Sequence, residues 1–172
     1  MTTIARRAAL ALLLLAATVP TVSARAAEDW NDKGIAWQPY DAGLAQAKKE
    51  KKPVCLVFFT PSCEHCVNYA TVFSDPAVVA KAKAFVMIRL EINNQSAELA
   101  YKYAPDGQYV PRTFFLSPAG DLWADVHAPR DQYKYFYQDQ PESTLAGMDA
   151  ALAKLVAPIA VQQIEIVPDR VK

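Results

Sequence analysis

The sequence predicts an α/β domain with one central mixed β-sheet flanked by helices on both faces. Three observations carry this reading. Val54-Cys55-Leu56-Val57-Phe58-Phe59 is an unbroken apolar run of strand formers with no polar alternation, the pattern of a strand covered on both faces. Helix-like and strand-like segments then alternate up to Leu116. Finally, two apolar segments, 113–116 and 122–126, are separated only by Ser117-Pro118-Ala119-Gly120-Asp121, too short for a crossover, so that pair is expected to be antiparallel.

Taken in order, Asp41 is placed to cap a helix over 41–52, with Leu44, Ala47 and Lys48 on one side and Pro53 ending it. After the strand of residues 54–59, Thr60-Pro61-Ser62 makes a sharp turn into a helix over 63–73. Asp75-Pro76 opens a second helical piece to about residue 83, since Asp caps and Pro suits a first turn. A strand over 85–90 and a helix over 96–103 follow, the latter closed by Pro105-Asp106-Gly107. After the hairpin, a last helix starts near Pro141, puts Leu145, Met148, Leu152 and Leu155 on one stripe, and is expected to stop before Pro158.

The chain has 172 residues, 52% hydrophobic and 21% charged, which excludes a disordered chain and a polytopic membrane protein. Five Gly against twelve Pro, with no repeat, exclude collagen-like and solenoid architectures. Eighteen Lys+Arg balance eighteen Asp+Glu, so no net field gathers nucleic acid, and no nucleic-acid partner is expected.

The first residues read as an address. Arg6 and Arg7 precede an Ala/Leu stretch over 8–19, and Ala24-Arg25-Ala26 supplies a small-x-small cleavage pattern. This predicts a signal peptide over 1–26, a domain over 27–158 and a C-terminal tail over 159–172. The apolar stretch is shorter than the ~20 residues needed to span a bilayer, so no membrane span is expected after cleavage. Ala8-Ala9-Leu10 after the arginine pair favours the general secretory route over the twin-arginine one. Cleavage removes three bases and no acid, leaving a net charge of about −3. A periplasmic or secreted protein is expected, in a compartment where disulfides persist.

The chemistry is expected at Cys63-Glu64-His65-Cys66, where a buried strand turns into a helix. Unpaired N–H groups and the helix dipole stabilise an anion in the first turn, which points to Cys63 as the attacking sulfur of lowered thiol pKa. Cys66, one turn further in, is the expected resolving thiol, within disulfide reach of Cys63. His65 would favour the thiolate through positive charge or a hydrogen bond, and Glu64 would oppose it by repulsion, so these two are the expected pKa-tuning residues. A stapling disulfide or a pair of metal ligands are the alternatives. Zinc is poorly served, because Cys55 and His127, the remaining candidates, lie on a buried strand and in a distant loop. Cu(I) needs fewer ligands and stays open. No metal or tightly held cofactor is required. Cys55, five residues before Thr60, lies about 16 Å down the strand and reads as a small core residue.

With the apolar strand, the Cys-x-x-Cys at a helix start, and Val110-Pro111 just before the strand at 113–116, residues 35–157 resemble the thioredoxin superfamily. More narrowly, Tyr103-Ala104-Pro105-Asp106-Gly107-Gln108-Tyr109-Val110-Pro111-Arg112, Phe115-Leu116-Ser117-Pro118-Ala119-Gly120 and Tyr133-Lys134-Tyr135-Phe136-Tyr137 resemble the anterior-gradient group of secretory-pathway thioredoxin-domain proteins. The resemblance implies a thioredoxin-like fold with Cys63 as nucleophile, Cys66 as resolver, and Pro111 as a cis-proline facing them. The backbone at Val110 would then bind a substrate strand. Protein thiols or disulfides would be the substrates, and a redox-recycling partner would be required. Two positions depart from the superfamily pattern. Val57 stands where many members carry a carboxylate that serves the resolving thiol, and Ser62 stands where a Trp usually precedes the motif. The first departure keeps a client-binding module with weak redox activity as the rival reading, beside a copper-handling protein. The tyrosines at 133, 135 and 137 fit core packing better than a client groove, and His127 reads as solvated.

Overall fold

The computed structural model describes residues 29–95 and 97–164; the expected signal peptide and residues 165–172 lie outside the described residues. Three strands, β1 (Val54–Phe59), β2 (Val86–Glu91) and β3 (Arg112–Leu116), form a sheet of order β2-β1-β3. β1 runs parallel to β2, with Val54 opposite Val86, and antiparallel to β3, with Val57 opposite Thr113. The apolar run therefore lies at the sheet centre, and Val54 through Phe58 are fully buried. The helices are α1 (Tyr40–Glu50), α2 (Glu64–Ala70), α3 (Pro76–Ala82), α4 (Ala97–Lys102) and α5 (Pro141–Ile164). This is the α/β mixed sheet expected, covered on both faces.

Alternation along β1 divides the core. Cys55 and Val57 point into a cluster with Cys66, Tyr69 and Phe73 from the α2 region, Val78 and Ala82 of α3, and Met148 and Ala151 of α5. Leu56 and Phe58 point the other way, to Ala47 of α1, Tyr103, Phe114 and Tyr135. Tyr135 and Tyr137 thus serve opposite clusters, which confirms core packing for these two rings while Tyr133 is exposed.

Local details differ from the sequence expectations, each for a physical reason. Pro39, not Asp41, is the residue before α1; its fixed φ of −60° starts the helix, and Asp41 lies in the first turn. The helix after the cysteines is α-helical only to Ala70 and tightens to a 3-10 turn over Thr71–Ser74. Asp75 caps α3 as expected, accepting from the N–H of Ala77 (2.8 Å) and Val78 (3.2 Å). The expected strand over 122–126 shrinks to one antiparallel bridge from Leu122 to Leu116, with the Trp123 N–H on the Phe115 carbonyl. The Val126 N–H then folds back to the Trp123 carbonyl, so the chain turns where a ladder would continue.

The last helix does not stop before Pro158 but runs to Ile164, across the expected boundary between domain and tail. A proline deletes one helical donor, and here the helical path continues through it. Among the described side chains of α5, Met148 of the expected stripe is buried and Leu145 and Leu152 pack against the same cluster, and Thr144, Gly147 and Ala151 are buried beside them. A small residue is needed at Gly147 because the rings of Tyr137 and Phe115 press on it, leaving 2.6–2.7 Å to a Cβ placed there.

Ahead of α1, the described chain lies along the edge of β2: the Gln38 N–H donates to the Met87 carbonyl, making a parallel bridge to Ile88. Arg89 on β2 sits over Trp30, Trp37 and Phe59 at 5.5–5.7 Å and pairs with Asp32 at 2.9 Å. Trp30 is buried at 1% exposure, so this arm is part of the core. Among the described residues, no helix is long and apolar enough to cross a membrane.

Candidate functional site

β1 delivers the chain to the end of the sheet, and the turn at 60–62 closes with the Cys63 N–H on the Thr60 carbonyl at 3.3 Å. Cys63 is the residue before α2, in extended conformation (φ −88°, ψ 116°), and its carbonyl accepts the first helical N–H groups, from Cys66 (3.0 Å) and Val67 (3.1 Å). Cys63 is half-buried, whereas Cys66 is fully buried in the cluster shared by α2 and α5. One thiol thus stands at the rim and the other below it, as the Cys-x-x-Cys spacing on a helix start predicts.

The Val110–Pro111 peptide is cis, and the Cys63 Sγ donates to the Val110 carbonyl at 3.6 Å. Val110 is half-buried and Pro111 buried. The structure therefore brings together four of the residues singled out in the sequence: Cys63, Cys66, Val110 and Pro111. Glu64 and His65 are exposed on the first turn of α2, and the His65 ring packs edge-on against Phe136 at 5.8 Å. His127 is half-buried rather than solvated, its Nδ1 2.8 Å from the Ala128 carbonyl.

Cys55 has no exposed surface, and burial pushes its thiol far above the ordinary cysteine value. It is the inert member of the three, as its place in mid-strand implies. Among the described residues, no three His, Cys, Asp or Glu side chains converge into a group that could hold a metal ion.

Two supports of the site were not foreseen. Tyr69, one turn beyond Cys66 on α2, shares hydrogen bonds through its hydroxyl with Thr113 (2.9 Å) on β3 and Thr144 (3.1 Å) on α5. This hydroxyl cluster ties the cysteine-bearing helix to the strand that follows Pro111, on the same sheet face as Val57. Burial raises the Tyr69 phenol well above its usual range, so it stays neutral and hydrogen-bonded. On the opposite face, Arg112 is buried at 0% exposure and donates from one nitrogen to the carbonyls of Tyr103 (2.6 Å) and Gly107 (2.7 Å). The only available signal was a charged residue at the head of an apolar strand.

With this geometry in view, similarity to known proteins can be placed. Residues 36–118 match the family model described as thioredoxin-like. Over this stretch the chain is a thioredoxin-like domain. It is 34% identical over 114 residues to anterior gradient protein 3 of Xenopus tropicalis, covering 64% of this chain and 66% of that one. It is 30% identical over 110 residues to the anterior gradient protein 2 homolog of Homo sapiens, covering 63% and 61%. The chain thus spans less than two thirds of the length of these relatives. A solved thioredoxin from Thermus thermophilus superposes with a TM-score of 0.57 at 26% identity, covering 72% of this chain and 92% of that one. The thioredoxin likeness and the anterior-gradient likeness agree with the motifs read from the sequence.

Proposed function

We propose that this protein is a thiol-disulfide oxidoreductase that exchanges disulfides with protein substrates through Cys63 and Cys66. The observation that carries the reading is the meeting of a half-buried Cys63, at the head of α2, with the Val110 carbonyl at 3.6 Å. A substrate strand lying against Val110 would place its own sulfur at Cys63.

In the reductive direction, the Cys63 thiolate attacks one sulfur of a substrate disulfide. A Cys63–substrate bond forms, and the other substrate sulfur leaves with the bonding electron pair and takes up a proton. The Cys66 thiol loses its proton and attacks the Cys63 sulfur, which forms a Cys63–Cys66 disulfide and releases the second substrate thiol. The substrate gains two electrons and two protons; the protein pair supplies both electrons and the Cys66 proton, and solvent supplies the other proton. A recycling dithiol or disulfide partner restores the starting state; run backwards, the same steps oxidise a substrate. Glu64 and His65 flank the attacking sulfur in sequence and are the proposed tuning residues. Val57 offers no proton acceptor at its position, so the Cys66 proton leaves by another group or by water.

Export fits this reading, since the signal peptide proposed over 1–26 sends the chain to a periplasmic or extracellular space. The test is turnover of a peptide disulfide with a glutathione couple as recycler. Wild type is expected to turn over, and Cys63→Ser to fall at least about a hundredfold, to the uncatalysed rate, because the nucleophile is gone. Equal rates in wild type and Cys63→Ser would overturn the proposal, and client capture without either thiol would favour a binding module.

A further inference from the structure

The loop of residues 104–111 is the half of the site that faces the cysteines, and it has little regular structure of its own to hold it. Its fixed points converge on Arg112. The guanidinium lies among the rings of Phe58 (5.2 Å), Tyr109 (5.7 Å) and Phe114 (5.8 Å), on the sheet face opposite Val57 and the cysteines. From there it reaches back to the carbonyls of Tyr103, nine residues earlier and just before the loop, and Gly107, five residues earlier and within it. Gly107 has φ +127°, a conformation that side-chain-bearing residues rarely adopt, and in it the carbonyl meets Arg112.

A second set of bonds braces the same loop from outside. Asp106 accepts from the Tyr109 hydroxyl (2.8 Å) and the Lys134 N–H (2.6 Å), and the Tyr109 hydroxyl accepts from the Tyr135 N–H (3.0 Å). The Thr113 N–H donates to the Tyr135 carbonyl at 2.8 Å, which returns the brace to β3. Asp106 and Arg112 also attract each other as opposite charges. Val110 packs against both halves of the core, so movement of the loop is felt at the carbonyl that faces Cys63.

Burying a guanidinium is costly, and a well-packed apolar residue would often serve stability as well. A residue kept for packing alone need not be charged. An Arg supplies what an apolar side chain cannot, here one nitrogen whose two N–H groups meet two carbonyls at once. We propose that Arg112 is a positioning residue: from behind the sheet it fixes the 104–111 loop so that the Val110 backbone is set to receive a peptide strand beside Cys63. The inference rests on the reading of Cys63 as the attacking thiol, and it predicts that Arg112 serves extended peptide substrates specifically, not thiol reactivity in general.

The test uses the full chain carrying Cys66→Ala, so that a single chemical step is observed and no turnover is needed. Two reagents are compared: a cysteine-containing peptide disulfide-bonded to thionitrobenzoate, and the same disulfide made with 2-mercaptoethanol, which has no backbone to dock. In each, Cys63 thiolate attacks, a mixed disulfide with Cys63 forms, and thionitrobenzoate leaves with the electron pair as a coloured anion. The parent is expected to react faster with the peptide. Arg112→Met is expected to lose about tenfold with the peptide while the small disulfide changes by less than about twofold, since only docking is impaired. Arg112→Lys should fall between, and Tyr109→Phe, which removes one hydroxyl from the brace, should shift the ratio the same way by a smaller factor.

Folding of each variant is checked by its thermal melt. If both Arg112 variants fail to fold, Tyr109→Phe decides by the same ratio. An unchanged ratio in any folded variant of Arg112, equal loss with both reagents, or a parent with no preference for the peptide would overturn the inference. Absence of turnover in wild type with the ratio shift intact would sink the oxidoreductase reading but leave Arg112 as a docking residue. A Cys63 inert to both reagents would sink both.

Discussion

The two halves of the site are held by opposite kinds of physics. α2, with Cys63 and Cys66, is tied to β3 and α5 by neutral hydroxyls, Tyr69 with Thr113 and Thr144. The facing loop that ends at Pro111 is tied by a buried cation, Arg112, and by a carboxylate, Asp106. Consecutive residues of one strand thus anchor the two halves, Arg112 on one face and Thr113 on the other. Neutral hydroxyls beneath the thiols leave the electrostatics there to α2 itself, while the charge needed to order an irregular loop is kept on the far side of the sheet.

This contrast can be broken most forcefully at the charged half. Arg112→Ala empties a fully buried site, removes the donor from the carbonyls of Tyr103 and Gly107 and takes away a charge that attracts Asp106, and is expected to cost about 3–5 kcal/mol of folding stability, read as a lowered urea midpoint. A loss below about 1 kcal/mol would mean that the loop is held by its other bonds and the cation is incidental.

The neutral half predicts a pH signature. Burial raises the phenols of Tyr69 and Tyr137 and the thiol of Cys55, all in the cluster beneath α2, in the folded state. Such groups hold their protons more tightly when folded, so their contribution is complete below the unfolded values, near 8.5 for Cys and 10 for Tyr, and is lost as pH rises above them. Stability is expected to fall from about pH 9 upward, by as much as ~1.4 kcal/mol per pH unit for each group that ionises only on unfolding. Urea midpoints measured from pH 7 to pH 11 test this, and a flat profile would contradict the buried, neutral assignment. The smallest effect is expected at Thr113→Val, which removes one of the two partners of the Tyr69 hydroxyl and should cost about 1 kcal/mol, with Thr144 keeping the other bond.

The same division explains what the sequence made legible. The α2 half announces itself locally: an apolar strand, a turn and two cysteines at helical spacing are contiguous, so Cys63 and Cys66 were readable as a rim and a buried thiol. Asp75 capping α3 and Cys55 in mid-strand are local in the same sense. The loop half is held by contacts that are distant in sequence or carried by backbone carbonyls, and no residue pattern encodes an Arg112 reaching back to Tyr103 and Gly107. Hydropathy likewise located Leu145, Met148 and Leu152 of α5, which do pack on the core, but it gave no sign that the rings of Tyr137 and Phe115 require a small residue at Gly147. The strand expected over 122–126 failed because a turn at Trp123–Val126 competes with the ladder, and a periodicity argument does not weigh that competition.

The account stands on Cys63 and Cys66 being one redox pair, with Cys55 outside it. Equilibrating the full chain with glutathione disulfide, quenching in acid and mapping the peptides by mass tests this most directly. The expected product is a Cys63–Cys66 disulfide with Cys55 still a thiol. Glutathione left on Cys63 without closure to Cys66, or a bond from either of them to Cys55, would contradict it.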